Sequence, residues 1–391
     1  SGATVGESQR RADATITKLS ELHVARGGQP LKVEQFSHRM AWGGVQIVIS
    51  PDKMTLTLLL TDHIEKSAAR WLPGVVADGS LPKGVPQGKA LRTALDGLRL
   101  EPAEARTVMT KADREFNSLV GDLRWMVKVL IRIIRMVHML SRVGARPPKE
   151  AMPCALGVLH VAYAHRHEGL TYGGVFAAPF MTATVKGTMD SARGAPILAP
   201  SGPVLGGSAP RALTGAGDAT WNKGDQVEEA SADEYCAAAT HNGAAVFLEV
   251  KLIHGKMACS SETEGYVSWR LSDKLMEGRV SLAAFGFGDE APTVLLSDND
   301  GNLRIGAGEG AAGRLRHALR RWWILTQRVR DRSIQLGYLP DSENYVDWGT
   351  KWTSHDKEEA SIAFLTGSRS RAAHMPPAAE PANACLSFAR A

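Results

Sequence analysis

The sequence is poor in cysteine. Its four cysteines, Cys154, Cys236, Cys259 and Cys385, are scattered, and no two form a CxxC pair. That excludes a cysteine zinc site and a disulfide framework. It fits reduced thiols in an intracellular protein, cytoplasmic or nuclear. Long uncharged apolar runs are also missing. The most apolar stretch, 122–143, carries Arg124, Lys128, Arg132, Arg135 and Arg142, too many charges for a membrane span. The first residues, SGATVGESQRRADATITKL, lack the apolar core of a signal peptide. There is no internal repeat, and the histidines show no metal-ligand spacing. The glycines of GAGEGAAG at 306–313 come without the Lys-Ser/Thr of a phosphate-binding loop and read as a flexible connector.

What is present is ordinary in bulk. A chain of 391 residues allows two or three domains. With 44% hydrophobic and 22% charged residues it is neither a disordered chain nor a collagen. The 39 glycines and 19 prolines predict long irregular loops, and a net charge of +5 makes the placement of the charge more informative than its total.

Periodicity sketches the organisation. Residues 10–24 read as a short amphipathic helix, 44–50 and 54–61 as strand-like runs, and 73–106 as mostly loop. Residues 112–143 are the clearest helix. Arg124, Lys128, Arg132 and Arg135 fall on one stripe of it, read first as a solvated basic face and second as a phosphate-tracking one. Another helix follows at 149–166. The Pro-, Gly-, Ser- and Ala-rich stretch 189–211 reads as a linker. Beyond it, 244–250, 292–297 and 333–339 read as strands and 314–331 as a helix, and 366–391 has the composition of a disordered tail.

Acids in four segments of the C-terminal half stand out: Asp218 in LTGAGDATW, Glu262 and Glu264 in ACSSETEGY, Asp298 in PTVLLSDND, and Asp347 in SENYVDWGTK. Acids at the C-terminal ends of buried strands sit where α/β sheets place their sites. Carboxylates brought together by a sheet suit two Mg²⁺ ions, which at about 3.5–4 Å apart clamp the attacking and leaving oxygens of a phosphodiester. Singly, each Asp is more often a turn or cap residue, so spacing alone does not carry a nuclease. Between 314 and 332 there are seven arginines, with Trp322 and Trp323 among them. The tryptophans read as packing residues and the arginines as a phosphate-binding face. Ser260 and Ser261 read as the cap of the helix bearing Glu264. His317 reads as structural, and His355 as a residue of a mobile loop near Asp347.

Eight segments in order resemble the C-terminal part of the Pol polyprotein of copia-type retrotransposons, the end of reverse transcriptase followed by RNase H. FNSLVGDLRWM (116–126) is similar to the family's Y-x-S-x-V-G-S-L-x-Y-L, MLSRV (139–143) to L-L-S-R-F, and GLTYGG (169–174) to G-L-x-Y. GAGDATW (215–221) resembles G-Y-S-D-A-D-W, ACSSETEGY (258–266) resembles A-L-S-S-T-E-A-E-Y, and LLSDNDG (295–301) resembles L-x-C-D-N-Q-S. RLRHALRRWWI (314–324) is similar to R-T-K-H-I-D-I-R-Y-H-F, with Leu319 where the family has Asp, and LGYLPDSENYVDWGTK (336–351) to L-x-Y-V-P-T-x-E-N-x-A-D-x-x-T-K.

The resemblance implies an α/β fold with an RNase H-like mixed sheet and flanking helices, preceded by a mainly helical thumb or connection region. The implied division is 1–106 degraded late palm and thumb, 107–188 helical connection, 189–211 linker, 212–365 RNase H-like domain and 366–391 tail. It implies Mg²⁺-dependent hydrolysis of the RNA strand of RNA–DNA hybrids, with two ions. Asp218, Asp298 and Asp347 are the implied metal ligands and, with Glu264, the catalytic set. Asn299, Arg314, Arg316, Arg320 and Arg321 are the implied contacts to nucleic acid. The rest of a Pol polyprotein is an implied partner, and a membrane is not. An ungapped match puts Gly265 where the family has its Glu. One residue turns a helix by about 100°, so Glu264 is expected to point away from the site unless the helix start shifts. The polymerase Y-V-D-D occurs nowhere in the chain, and QFSHRMAWGG (35–44) resembles only a degraded remnant of the strand region after it. No polymerase activity is therefore expected. The alternative is a catalytically dead remnant that only binds nucleic acid.

Overall fold

The computed structural model describes residues 39–51, 55–102, 108–173, 181–182, 197–200, 209–221, 233–253, 259–284, 291–308 and 319–368, with isolated positions besides. The chain divides into two units, Ser1–Met40 and Ala41–Ala391. In the first, the described positions from Ala14 to Ala25 are helical, where a short helix was expected. The second carries every element that positions the candidate site.

It begins with an antiparallel pair, β1 (Val45–Ile49) and β2 (Thr55–Leu59), in register Gln46↔Leu59. Six helices follow: α1 (Thr61–Trp71), α2 (Pro73–Asp78), α3 (Gly88–Gly97), α4 (Lys111–Met126), α5 (Ile134–Arg142) and α6 (Ala151–Ala164). Strand β3 (Leu170–Gly173) then returns to pair with β2. The helices share one core in which Leu60, Ile64, Leu91, Leu95, Phe116, Leu123, Leu140 and Val158 are buried. Two expectations change here. Part of 73–106 is helical: Leu91 and Leu95, one turn apart on α3, are buried, and that single pair is too short a period to read in the sequence. The long helix at 112–143 is broken after Met126, and its basic stripe is only half solvated. Arg124 and Lys128 are exposed, whereas Arg132 and Arg135 are buried. Carboxylates distant in sequence receive them, Glu168 and Glu359 on Arg132 and Glu234 beside Arg135.

The second sheet has five strands: β4 (Thr214–Thr220), β5 (Glu234–His241), β6 (Ala244–Leu252), β7 (Thr293–Ser297) and β8 (Ile334–Tyr338). Their order is β8-β7-β4-β5-β6. β4, β5 and β6 are antiparallel neighbours, while β7 runs parallel to both β4 and β8. The sheet is therefore mixed, and the C-terminal ends of β4, β7 and β8 emerge at one edge. Helices α7 (Ser260–Ala284), α8 (Asp300–Ala307) and α9 (Leu319–Arg330) cover one face. Helix α10 (His355–Thr366), the turn 345–348 and Ile131 and Ile134 cover the other.

The mixed α/β class expected from the sequence is what the structure shows. Among the described residues of 189–211, Ile197, Val204 and Ala209 are buried, and Leu198 exchanges backbone hydrogen bonds with Leu336 and Tyr338. The rest of that stretch and residues 369–391 lie outside the described residues. Among the described residues, no helix is long and apolar enough to cross a membrane. Cys154, Cys236 and Cys259 are free thiols.

Candidate metal centre

The edge where β4 and β7 end carries the acids. Alternation along β4 puts Gly215 and Gly217 toward α7 and Asp218 on the opposite face. A Cβ on Gly217 would press on Val267, so the glycine lets α7 lie close against the strand. Asp298 follows the last residue of β7. There Ser297 Oγ accepts the Asn299 N–H, and Asn299 Oδ1 accepts the Asn302 N–H at 2.9 Å, capping α8. The cap turns the chain sharply at the strand end and leaves Asp298 at the rim.

The position of Glu264 corrects the expectation. Its carboxylate reaches the site, where Oε1 accepts the Ala219 N–H at 3.3 Å. Ligand oxygens of Asp218, Glu264 and Asp298 all lie within 4.8 Å of one another. Gly265 instead faces Trp322, and a Cβ there would run into the indole ring. Trp322 is buried at 2% exposure and donates Nε1–H to Asn302 Oδ1, and Asn302 in turn donates to Ser268 Oγ. This interlock of α7, α8 and α9 fixes the helix rotation that presents Glu264, not residue 265, to the strands. The helix begins at Ser260, and the Cys259 carbonyl accepts from Glu262 and Thr263. Ser260 and Ser261 are thus inside the first turn and do not cap it.

Asp347 comes from the turn after β8 and is fully buried. Asp298, Asp341 and Asp347 form a second group with ligand oxygens within 4.8 Å, although Asp341 itself is exposed. Neighbouring side chains orient these acids. Thr350 donates its hydroxyl to Asp218, and Asn344 Nδ2 donates to Asp298 at 3.1 Å. Lys357 on α10 donates to Asp347 Oδ2, which Lys351 Nζ also approaches at 3.1 Å. The turn is fixed from behind by Arg135, which donates to the Gly349 carbonyl at 3.0 Å.

Burial pushes Asp218 up to about 7, the nearby Asp347 adds to this, and the Thr350 hydrogen bond opposes it. Burial, then Asp218 and Asp298, raises Glu264 well above the usual carboxylate range. Burial also raises Asp298, against the Asn344 hydrogen bond. For Lys351, burial disfavours the charge, but Asp218 and Asp347 outweigh it and raise its pKa. The cluster is thus short of positive charge. Two carboxylate oxygens, Glu264 Oε2 and Asp347 Oδ1, are buried with no hydrogen-bond partner. Hard carboxylate oxygens in that state fit a divalent cation of the Mg²⁺ type.

The other expected residues are placed as follows. Asn299 is the α8 cap. Arg321 lies over the Tyr266 and Trp269 rings and pairs with Glu262 at 3.8 Å. Arg314, Arg316, His317 and the Arg320 side chain lie outside the described residues. Trp323 departs from its expected packing role, being 62% exposed. His355 is exposed at the start of α10 and comes within 3.9 Å of Glu359. Sequence reasoning gave no role to Asn344, Thr350 and Lys351, although all three belong to the quoted N-x-x-D-x-x-T-K string. It missed Asp341 and Lys357 altogether.

No protein-family model and no curated protein matches the chain. Among solved structures, it is similar to the N-terminal RNase H domain of a Mycobacterium tuberculosis protein solved as a fusion with maltose-binding protein. That match has 12% identity and a TM-score of 0.26, covering 39% of this chain and 96% of the other. It is similar to LC11-RNase H1 in complex with an RNA/DNA hybrid, at 12% identity and a TM-score of 0.25, over 34% of this chain and 88% of that one. A further structure of LC11-RNase H1, an enzyme isolated from compost by a metagenomic approach, matches at 13% identity and a TM-score of 0.25, over 36% and 93%. The five-stranded sheet is mixed, with helices on both faces.

Proposed function

We propose that the chain is a Mg²⁺-dependent ribonuclease of the RNase H type, hydrolysing the RNA strand of RNA–DNA hybrids and descended from a copia-type Pol polyprotein. The observation that carries this reading is the meeting of Asp218, Glu264 and Asp298 at one sheet edge, with Asp347 beside them. The eight ordered sequence segments support the retroelement origin, and the helices between Thr61 and Ala164 would be the thumb and connection of the former polymerase. Without a Y-V-D-D, the chain would not polymerise DNA.

Asp218, Glu264 and Asp298 would hold the cation, with Thr350 and Asn344 fixing the first and third of them. A bound divalent ion supplies an activated water and offsets charge developing on the phosphate. Lys351, half exposed at the rim, offers a cation to the incoming backbone. The arginines of 314–332 would add sequence-independent phosphate contacts, and recognition of RNA would require contacts to 2′-hydroxyls.

One observation favours a second reading, the dead remnant that only binds nucleic acid: lysine ammonium groups already pair with Asp347. A labelled hybrid with Mg²⁺ separates the two. Cleavage by the parent and none by Asp298→Asn is the expected result. A folded parent that binds the hybrid without cutting it would establish the remnant.

A further inference from the structure

The acids of the candidate centre are not alike in their company. Asp218, Glu264 and Asp298 have only neutral side-chain hydrogen-bond donors, Thr350 on Asp218 and Asn344 on Asp298, and Glu264, like Asp347, keeps a buried unpartnered oxygen. Asp347 has two cations. Lys357 Nζ bonds its Oδ2 and also the Asp341 carbonyl, and Lys351 Nζ lies 3.1 Å from the same Oδ2 and 3.2 Å from Asp341 Oδ1. Both come from beyond the turn, Lys351 one helical turn after Asp347 and Lys357 from the first turns of α10. Lys357 is mostly buried, so its ammonium is held in place and not offered to solvent.

A divalent ion beside Asp347 would compete with two ammonium groups for Oδ2, or take the unpartnered Oδ1 with both ammonium groups close by. Like charges at that spacing repel strongly where water is excluded. The charge count agrees. Asp218, Glu264, Asp298 and Asp347 bring four negative charges and the two lysines return two, leaving what one divalent ion balances. Asp341 is largely exposed and screened by water.

We propose that Lys351 and Lys357 stand in for a second metal ion at Asp347, so that the substrate-free protein takes one divalent cation, on Asp218, Glu264 and Asp298. This rests on reading these acids as a metal centre. It departs from the two-ion arrangement that the family resemblance implies. Lys351 and Lys357 are then counter-cations that position Asp347.

The test counts ions without any assay of cleavage. Mn²⁺ is titrated into the full chain by calorimetry, with the free ion followed by electron paramagnetic resonance. The parent should bind one Mn²⁺. Asp347→Asn should still bind one, with the dissociation constant changed by less than about threefold. Lys351→Met/Lys357→Met should gain a second, weaker Mn²⁺. Two ions on the parent, or loss of binding in Asp347→Asn, would overturn the proposal while leaving the metal centre intact. A folded parent that binds no Mn²⁺ would remove the centre and the proposal together. If the lysine variant does not fold, Asp347→Asn decides, because Asn keeps the shape of Asp.

Discussion

The two faces of the five-stranded sheet are built differently. Under α7, α8 and α9 the sheet is dry. Val267, Leu271, Leu275, Leu295, Leu303 and Leu325 fill the space, and its polar insertions are the satisfied chain Trp322–Asn302–Ser268 and, toward β6, Glu249 held by Tyr235, Lys251 and Arg270. On the opposite face an apolar layer of Ala216, Cys236, Leu296 and Phe364 is ringed by buried charge. Glu234 gathers Arg135, His138 and Arg142, while Arg132 joins Glu168 and Glu359. The difference separates two tasks. The dry face sets the rotation of α7 and hence the aim of Glu264. The charged face attaches the helices before the sheet to the turn that carries Asp347. Asp218 is on the charged face and Glu264 comes from the dry one, so the carboxylate cluster forms where the two meet.

The comparison breaks most readily at Glu234. Glu234→Gln should leave Arg135 buried beside a neutral partner, and removing one member of a buried pair costs about 3–5 kcal/mol. Urea unfolding should show that loss. Glu234→Gln/Arg135→Met should regain part of it, since the most buried of the guanidinium groups is then gone, while Arg142, 23% exposed, still faces a neutral amide. Burial already holds the Arg135 guanidinium below its ordinary pKa, a sign that the pair strains against desolvation. A double variant as unstable as the single one would show that the hydrogen bond from Arg135 to Gly349, and not the charge balance, holds the turn.

The junction should respond to pH. Asp218 is raised from the 3.8 of an unfolded carboxyl to about 7, so the folded state holds its proton more tightly. That contribution is fully present below about pH 4 and is lost as pH rises toward 7, when the metal-free protein must ionise a buried acid. The loss is on the order of a few kcal/mol. Asp218→Asn should therefore raise the Tm of metal-free protein at pH 8 and leave it unchanged near pH 4. Added Mg²⁺ should reduce the advantage of the variant at pH 8, because it binds the ionised form. An equal shift at both pH values would mean that Asp218 is not held protonated.

How far the sequence shows these arrangements follows from how local their causes are. Strands β6, β7 and β8 are legible as apolar runs, and the acids at or after strand ends stand out by position. Strand β5 is not legible. EYCAAATH has three consecutive alanines and is buried between the two cores, so neither alternation nor bulk marks it. The burial of Arg132 and Arg135 is invisible because their partners lie 36 to 227 residues away. The aim of Glu264 was misjudged for a related reason. Register against a family motif says which residue aligns, but rotation is set by what the neighbouring residue packs on, here Trp322 from more than fifty residues downstream. Lys357 gave no signal, since one lysine in the charged run HDKEE that opens α10 is among the commonest of residues.

On the dry face, Gly265→Ala tests the interlock. The new methyl would meet the Trp322 ring, and overpacking of this kind costs about 1–3 kcal/mol. The helix should rotate or the indole should move, and Mn²⁺ affinity should fall with stability because Glu264 turns with the helix. Gly265→Glu, which restores the residue aligned with the family motif, should be worse on both counts. A gain in metal affinity from that variant would mean that the family register is the true one and that Glu264 is only a neighbour.

The smallest effect is expected one residue from the most buried tryptophan. Trp322 and Trp323 are adjacent on α9, yet one is 2% exposed and the other 62%. About 100° of helix separates them, which carries Trp323 out of the interlock. Trp323→Ser should change stability by no more than about 0.5 kcal/mol, as surface substitutions do. Trp322→Ser should cost several times more, through the lost ring volume and the unpaired Asn302 carbonyl. The informative measurement is hybrid affinity in the Trp323 variant, at equal stability and over a range of salt. A drop that is insensitive to salt would assign Trp323 to stacking on bases. Unchanged affinity would leave recognition to the arginines around it and make the exposed ring a bystander of the dry face.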